Sequence, residues 1–114
     1  MNIDSLVFWK AVGEIAMKSP GTEASTSYGT PAFKVDKKMF VRLKEDGQTI
    51  VVYTNERSKW MKLKPKTFFI TDHYKDHPLM LVDLLTVNNK DLKSLLQAAW
   101  KIRASNRLKK ETEK

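Results

Sequence analysis

From Phe33 to Thr54 apolar and polar residues alternate, and the alternation is interrupted twice by clusters of turn-forming residues. A period of two places successive side chains on opposite faces of a strand, so the stretch predicts three consecutive strands joined by tight turns. Asp46-Gly47 is a strong hairpin signal, because both central residues of a type I′ turn need positive φ. A loop centred there pairs Leu43 with Ile50, Val41 with Val52 and Met39 with Thr54 on one face. The other face then pairs Lys44 with Thr49, Arg42 with Val51 and Phe40 with Tyr53. For the preceding turn, a three-residue loop at Asp36-Lys37-Lys38 sets Val35 opposite Met39 and Phe33 opposite Val41. This keeps the aliphatic residues together, whereas a two-residue loop at Asp36-Lys37 would push Lys34 among them and is rejected. The outcome is an apolar face, and a second face carrying Lys34, Phe40, Arg42, Lys44 and Tyr53.

Helical spacing marks the flanks. Phe8, Ala11, Val12 and Ile15 recur at three- and four-residue intervals and predict a helix over residues 4–18, capped by Asp4 or Asn2 and stopped by Pro20-Gly21. Trp9 lies beside that stripe and is expected to be partly buried against the sheet. Residues 22–30 are polar and read as a lead-in to the first strand. After the third strand, Thr54 or Asn55 caps a short helix from about Glu56 to Leu63, ended by Pro65. Trp60 and Leu63 are expected to face its core, with Arg57, Lys59, Lys62 and Lys64 in water. Phe68–Thr71 and the apolar run 79–85 give two more strands. Asn88, with Asp91 three residues on, caps a last helix from Lys90 to Arg103 whose buried stripe is Leu92, Leu95, Leu96, Ala99 and Ile102. The order α-β-β-β-α-β-β-α predicts an α+β two-layer sandwich, an antiparallel five-stranded sheet with helices on one face. Residues 1–114 form one domain with a basic tail over 103–114.

Charge narrows the partner. The net charge is +8, and the excess is local: residues 34–66 hold ten Lys and Arg against four acids, and residues 101–114 six against two. Such concentration points to a polyanionic partner (nucleic acid, a phosphate ligand or an acidic protein surface), with a merely soluble basic surface as the equal alternative. The chain has no cysteine, which excludes disulfides and cysteine-based zinc sites. No apolar run is long enough to span a membrane, and the N-terminus lacks the pattern of a signal peptide, so a cytoplasmic location is expected.

Catalytic chemistry has little to stand on. The sequence has no Gly-x-Ser-x-Gly elbow and no Gly-rich phosphate loop, and no enzymatic role or cofactor is expected. Asp72-His73-Tyr74-Lys75-Asp76-His77 is the one cluster with metal-ligand residue types. Pro78 and the strand-like flanks oppose the helix that would bring both histidines to one side, so a structural His73, hydrogen-bonded in a turn, is the expectation. The basic-aromatic face offers more. Phe40 opposed to Tyr53, flanked by Lys34, Arg42 and Lys44, would stack bases and track phosphates of single-stranded nucleic acid. The plainer account is a cross-strand aromatic pair that supports the sheet. A protein partner or a second copy would use the same open face, and a small ligand is the remaining class.

Several segments together resemble a known family. SYGTPAFKVDKKMFVRLKEDGQTIVV is similar to a Gly-x-Pro-Ala-Phe strand, a turn, a Lys-Met-Phe strand, a Gly-containing hairpin and a β-branched strand. FFITDHYKDHPLMLVDL resembles a Phe-x-x-Thr-x-His-Tyr segment followed by Pro and an apolar strand, and DLKSLLQAAWKIRA resembles the closing helix. These are the motifs of the MmcQ/YjbR-like family of small bacterial proteins, and the resemblance runs from about Phe8 to Arg103. It implies a CyaY-like or secretion-chaperone-like α+β fold and a DNA-binding role, with a chaperone-like or adaptor role as the alternative. Two positions depart from the pattern. Asp76 and His77 stand where the family often has Gly and an aromatic residue, and Leu79 where it often has Trp.

Overall fold

Three hairpins in succession build the first two-thirds of the sheet in a computed structural model, which describes residues 3–112 and the side chains of residues 7–110. Strands β1 (Thr22–Ser27), β2 (Thr30–Val35), β3 (Lys38–Leu43) and β4 (Thr49–Tyr53) form a meander. Strands β5 (Phe68–Phe69) and β6 (Leu79–Asp83) complete a six-stranded sheet in the order β1-β2-β3-β4-β6-β5, with every neighbouring pair antiparallel. The expected five strands thus become six, because the polar lead-in is itself a strand. Its partner register, Ser27 with Thr30, leaves Tyr28-Gly29 as a two-residue loop with φ of 54° and 78°, the turn geometry that suits strand twist.

Three of the expected pairings are present, Leu43 opposite Ile50, Val41 opposite Val52 and Phe33 opposite Val41, but Val35 lies opposite Lys38 and not, as expected, Met39. The turns that produce this register differ. Asp36 and Lys37 alone form the β2–β3 loop, with φ of 51° and 66°. That is the rejected two-residue loop. A bulge reconciles it with the pairing: Lys34 pairs with Met39 and Phe33 with Val41, so β3 carries one extra residue, Phe40, with no partner across the ladder. The β3–β4 loop spans residues 44–48. In it Gly47 has φ 73°, and its N–H donates to the Lys44 carbonyl at 3.0 Å. Asp46 organises this loop as an acceptor, taking the Gln48 N–H at 3.0 Å, the Thr49 N–H at 2.9 Å and the Thr49 hydroxyl at 2.7 Å. Burial alone would raise the Asp46 carboxyl. The Thr49 hydroxyl, the two backbone N–H groups and the nearby Lys44 charge outweigh that and hold it below its ordinary value.

Helices α1 (Ile3–Ala16), α2 (Arg57–Leu63), α3 (Asn89–Arg103) and α4 (Asn106–Thr112) extend the expected order to α-β-β-β-β-α-β-β-α-α, with a single 3₁₀ turn (Asp72–Tyr74) before β6. Val12, Trp60, Leu95 and Leu108 join Val41, Ile50, Val52 and Met80 in one buried cluster, which puts all four helices on the same side of the sheet. Trp9 is half-buried and stacks on Phe33 with centroids 5.0 Å apart. Gly13 lets α1 come this close, since a Cβ there would sit 3.1 Å from the Phe33 ring. The suggested cap at Asn2 or Asp4 lies outside the described side chains. Asn88 caps α3 as expected, accepting the Asp91 N–H at 2.8 Å. Leu92, Leu95, Leu96 and Ala99 are buried, whereas Ile102 is half-buried and the unexpected Trp100 takes its place, its indole N–H on the Pro20 carbonyl at 2.9 Å. Leu63 is 61% exposed rather than core-facing, leaving Trp60 as the buried anchor of α2. Among the described residues no helix is long and apolar enough to cross a membrane.

Candidate nucleic-acid interface

Opposite the helices the sheet presents a row that begins with Ala32 and Arg42 and continues through Val51, Leu81 and Phe69, each opposite the next across the strands. Strand alternation places these residues on the open side. The 3₁₀ turn covers part of it, because Tyr74 is buried in a small cluster with Val51 and Leu81. Beside that cover is a cavity of about 320 Å³ lined by Tyr28, Met39, Arg42, Val51, Tyr53, His73, Tyr74, His77 and Leu79.

Arg42 lies at the centre of this face and is only 7% exposed. Its guanidinium donates to the Tyr74 hydroxyl at 3.0 Å, to the Thr30 hydroxyl at 3.3 Å and to the Leu43 carbonyl at 3.4 Å. Its carboxylate partner is the exposed Glu45, at 3.6 Å. Such a pair is weak, because water screens the exposed end. At the rim the Tyr28 ring is 82% exposed, and the Arg42 guanidinium sits 5.2 Å from its centroid. The φ of 54° at Tyr28 holds the ring on the tip of its hairpin. Lys44 is half-buried, with its ammonium 5.8 Å from the Tyr74 ring. Lys34, also half-buried, alternates with the buried Phe33 and Val35 and so belongs to the open side.

The expected Phe40–Tyr53 platform does not form. Phe40 is fully buried in the cluster beneath the helices, together with its neighbour Val41. Two adjacent residues of a regular strand cannot share a face. The bulge breaks the alternation, turns Phe40 inward, and leaves Met39, expected on the apolar side, to line the cavity instead. Tyr53 does line the cavity. However, Arg103 from the end of α3 lies 4.2 Å from its ring centroid and donates from Nε to the Met39 carbonyl at 3.1 Å. Of the five residues singled out, Arg42 and Tyr53 line the cavity, Lys34 and Lys44 lie on the same side, and Phe40 is excluded.

Arg57, which the pattern assigned to solvent, instead braces the cavity wall. From the first turn of α2 it donates to the carbonyls of Tyr74 at 3.0 Å, His77 at 2.7 Å and Leu79 at 3.2 Å, and to that of Lys75. One cation thereby gathers four carbonyls between Tyr74 and Leu79 and holds that wall of the cavity. His73 is exposed and meets Tyr74 edge-on at 4.8 Å; among the described residues its ring nitrogens have no hydrogen-bond partner, so the expected hydrogen bond in the turn is replaced by a ring contact. Among the described residues no group of three or more His, Asp or Glu side chains comes together to hold a metal ion. Tyr28, whose position was read as part of a polar lead-in, is the other residue missed; the Tyr28-Gly29 dipeptide between two β-compatible runs was its signal.

A family model described as YjbR matches residues 17–102, a span that takes in the whole sheet and nearly all of α3. No curated protein matches the sequence.

Proposed function

The chain belongs to the YjbR family, and on that premise we propose that it is a non-enzymatic domain that binds single-stranded nucleic acid on the open face of its sheet. One observation carries the reading: Tyr28 presents an exposed ring at the rim of a face whose centre is the Arg42 guanidinium. Bases stack on exposed rings irrespective of sequence, and neighbouring cations follow the phosphates. Lys34 and Lys44 supply those cations on the same side, within the stretch that holds most of the excess positive charge. The aromatic contribution shifts from the Phe40–Tyr53 pair to Tyr28, because Phe40 belongs to the core.

The test is affinity for a single-stranded oligonucleotide as a function of salt. Each phosphate neutralised on a single strand contributes a slope of about −0.7 in log K against log salt. Tyr28→Ala should weaken binding by about 1–3 kcal/mol with the slope unchanged. Lys34→Ala and Lys44→Ala should each flatten the slope, since phosphate contacts carry the salt dependence. Absence of binding at low salt removes the reading. Self-association in sedimentation without nucleic-acid binding assigns the face to a protein partner.

A further inference from the structure

The cavity beside Tyr74 is more than a patch of the open face. It is a recess of about 320 Å³, at the small end of the range for ligand pockets. Its floor holds a cation nine-tenths or more buried, and its walls hold the three tyrosines of the region and two histidines. A buried guanidinium needs compensation, and the Glu45 carboxylate, 3.6 Å away but largely in water, provides little. Three hydrogen bonds do not exhaust the five N–H groups of its planar fork, which matches the oxygens of a carboxylate or phosphate. Lys44 brings a second positive charge over the Tyr74 ring, which favours the doubly charged phosphate monoester over a carboxylate. Around this centre the exposed Tyr28 ring provides a face for a planar body, the Tyr53 and Tyr74 rings line the recess beside it, and His73 and His77 provide polar edges.

We propose that this cavity is a site for one nucleoside monophosphate, its phosphate on the Arg42 guanidinium and its base against the tyrosine rings. The proposal deepens, and its strand-end form rests on, the reading of this face as a nucleic-acid surface. A phosphorylated strand end and a free nucleotide share the chemistry. The cover suits such a role, since Arg57 holds the 74–79 wall through backbone carbonyls and leaves the side chains of Tyr74, His77 and Leu79 to line the recess.

The experiment is calorimetric titration of the full chain with adenosine monophosphate, adenosine and inorganic phosphate, and with a short oligonucleotide phosphorylated at either end or at neither. The mononucleotide should bind at least about tenfold more tightly than adenosine or phosphate alone, because base and phosphate contacts act together. Tyr28→Ala should weaken it about tenfold, the effect of one lost stacking ring. Arg42→Lys keeps the charge but not the fork and should weaken it by a similar factor, with adenosine affinity unchanged. Tyr28 is exposed, so its variant remains informative if Arg42→Lys fails to fold. A strand phosphorylated at one end that binds about tenfold better than its unphosphorylated form identifies the strand end as the source; equal affinities identify the free nucleotide. Salt-dependent binding of oligonucleotides with no binding of the mononucleotide overturns the proposal and leaves the nucleic-acid surface standing. Mononucleotide binding without oligonucleotide binding supports the site and removes the broader reading. Mononucleotide affinity indifferent to Tyr28→Ala also overturns it, and so does the absence of all binding.

Discussion

The two faces of the sheet use the same strands for different ends. Beneath the helices the side chains are uniformly apolar, and Phe40, Val41, Leu43, Ile50 and Val52 are fully buried. Any of them could change shape a little without altering what the face does. The open face has a buried cation, Arg42, at its centre, and part of what surrounds it is arranged by polar contacts to that cation or to Arg57. Packing is non-directional and tolerant of repacking. A charged hydrogen-bonded network is directional, and removing one member strands the others. The helix-covered side therefore sets stability, while the open side is where single residues would alter the proposed binding.

The sharpest break of this comparison is Phe40→Ala. Simple alternation puts Phe40 outside, where truncation would cost little; the bulge puts it in the core, where the loss should be about 3–5 kcal/mol in chemical denaturation. A loss under 1 kcal/mol would return Phe40 to the open side. Next is Arg57→Ala, which leaves four backbone carbonyls without their cation. Charge-assisted bonds of this kind support a loss of about 2–3 kcal/mol. Hydrogen exchange should localise the loosening to residues 72–79, with the helix-covered face still protected. Uniform loosening of both faces would show that they are not separable. Gly47→Ala tests the turn that both faces share. An alanine held at φ 73° should cost about 1–2 kcal/mol and leave the open face unchanged once folded.

The smallest effect concerns acid. The Asp46 carboxyl is held below its ordinary value of 3.8 in the folded chain. Its contribution to stability is thus complete above that value and is lost as the pH falls through the lower folded value. Asp46→Asn should remove this part of the acid limb, read as a flatter dependence of the thermal midpoint on pH below 3.8. An unchanged acid limb would mean that the loop is ordered by its backbone alone.

Much of the helix-covered face was legible in the sequence, because apolar alternation and the Asp46-Gly47 signal fix which aliphatic residues oppose one another. Leu43 does oppose Ile50, and the Asn88 cap and most of the α3 stripe stand where their spacing puts them. The bulge was not legible. A three-residue loop with a regular strand and a two-residue loop with one extra strand residue pair Phe33 with Val41 equally well. They differ in where Phe40 and Met39 point, and only the second is realised. β1 was hidden for another reason: an edge strand can be held by its ladder without an apolar stripe, and TEASTS has none. Arg57 was hidden because its acceptors are backbone carbonyls 17 to 22 residues away, which no side-chain pattern reveals.

The strand order has a consequence for how the chain emerges from the ribosome. β1 to β4 are joined by short local loops, so their pairing needs no distant partner and can form early. Their apolar side, however, is closed largely by Asn89–Arg103, which lies more than thirty residues beyond Tyr53. At a synthesis rate of about 5–20 residues per second, that interval leaves a bare, hairpin-bearing surface waiting for its cover for about a few seconds. The nascent chain is therefore most open to misassociation after its sheet has begun to form and before its penultimate helix arrives.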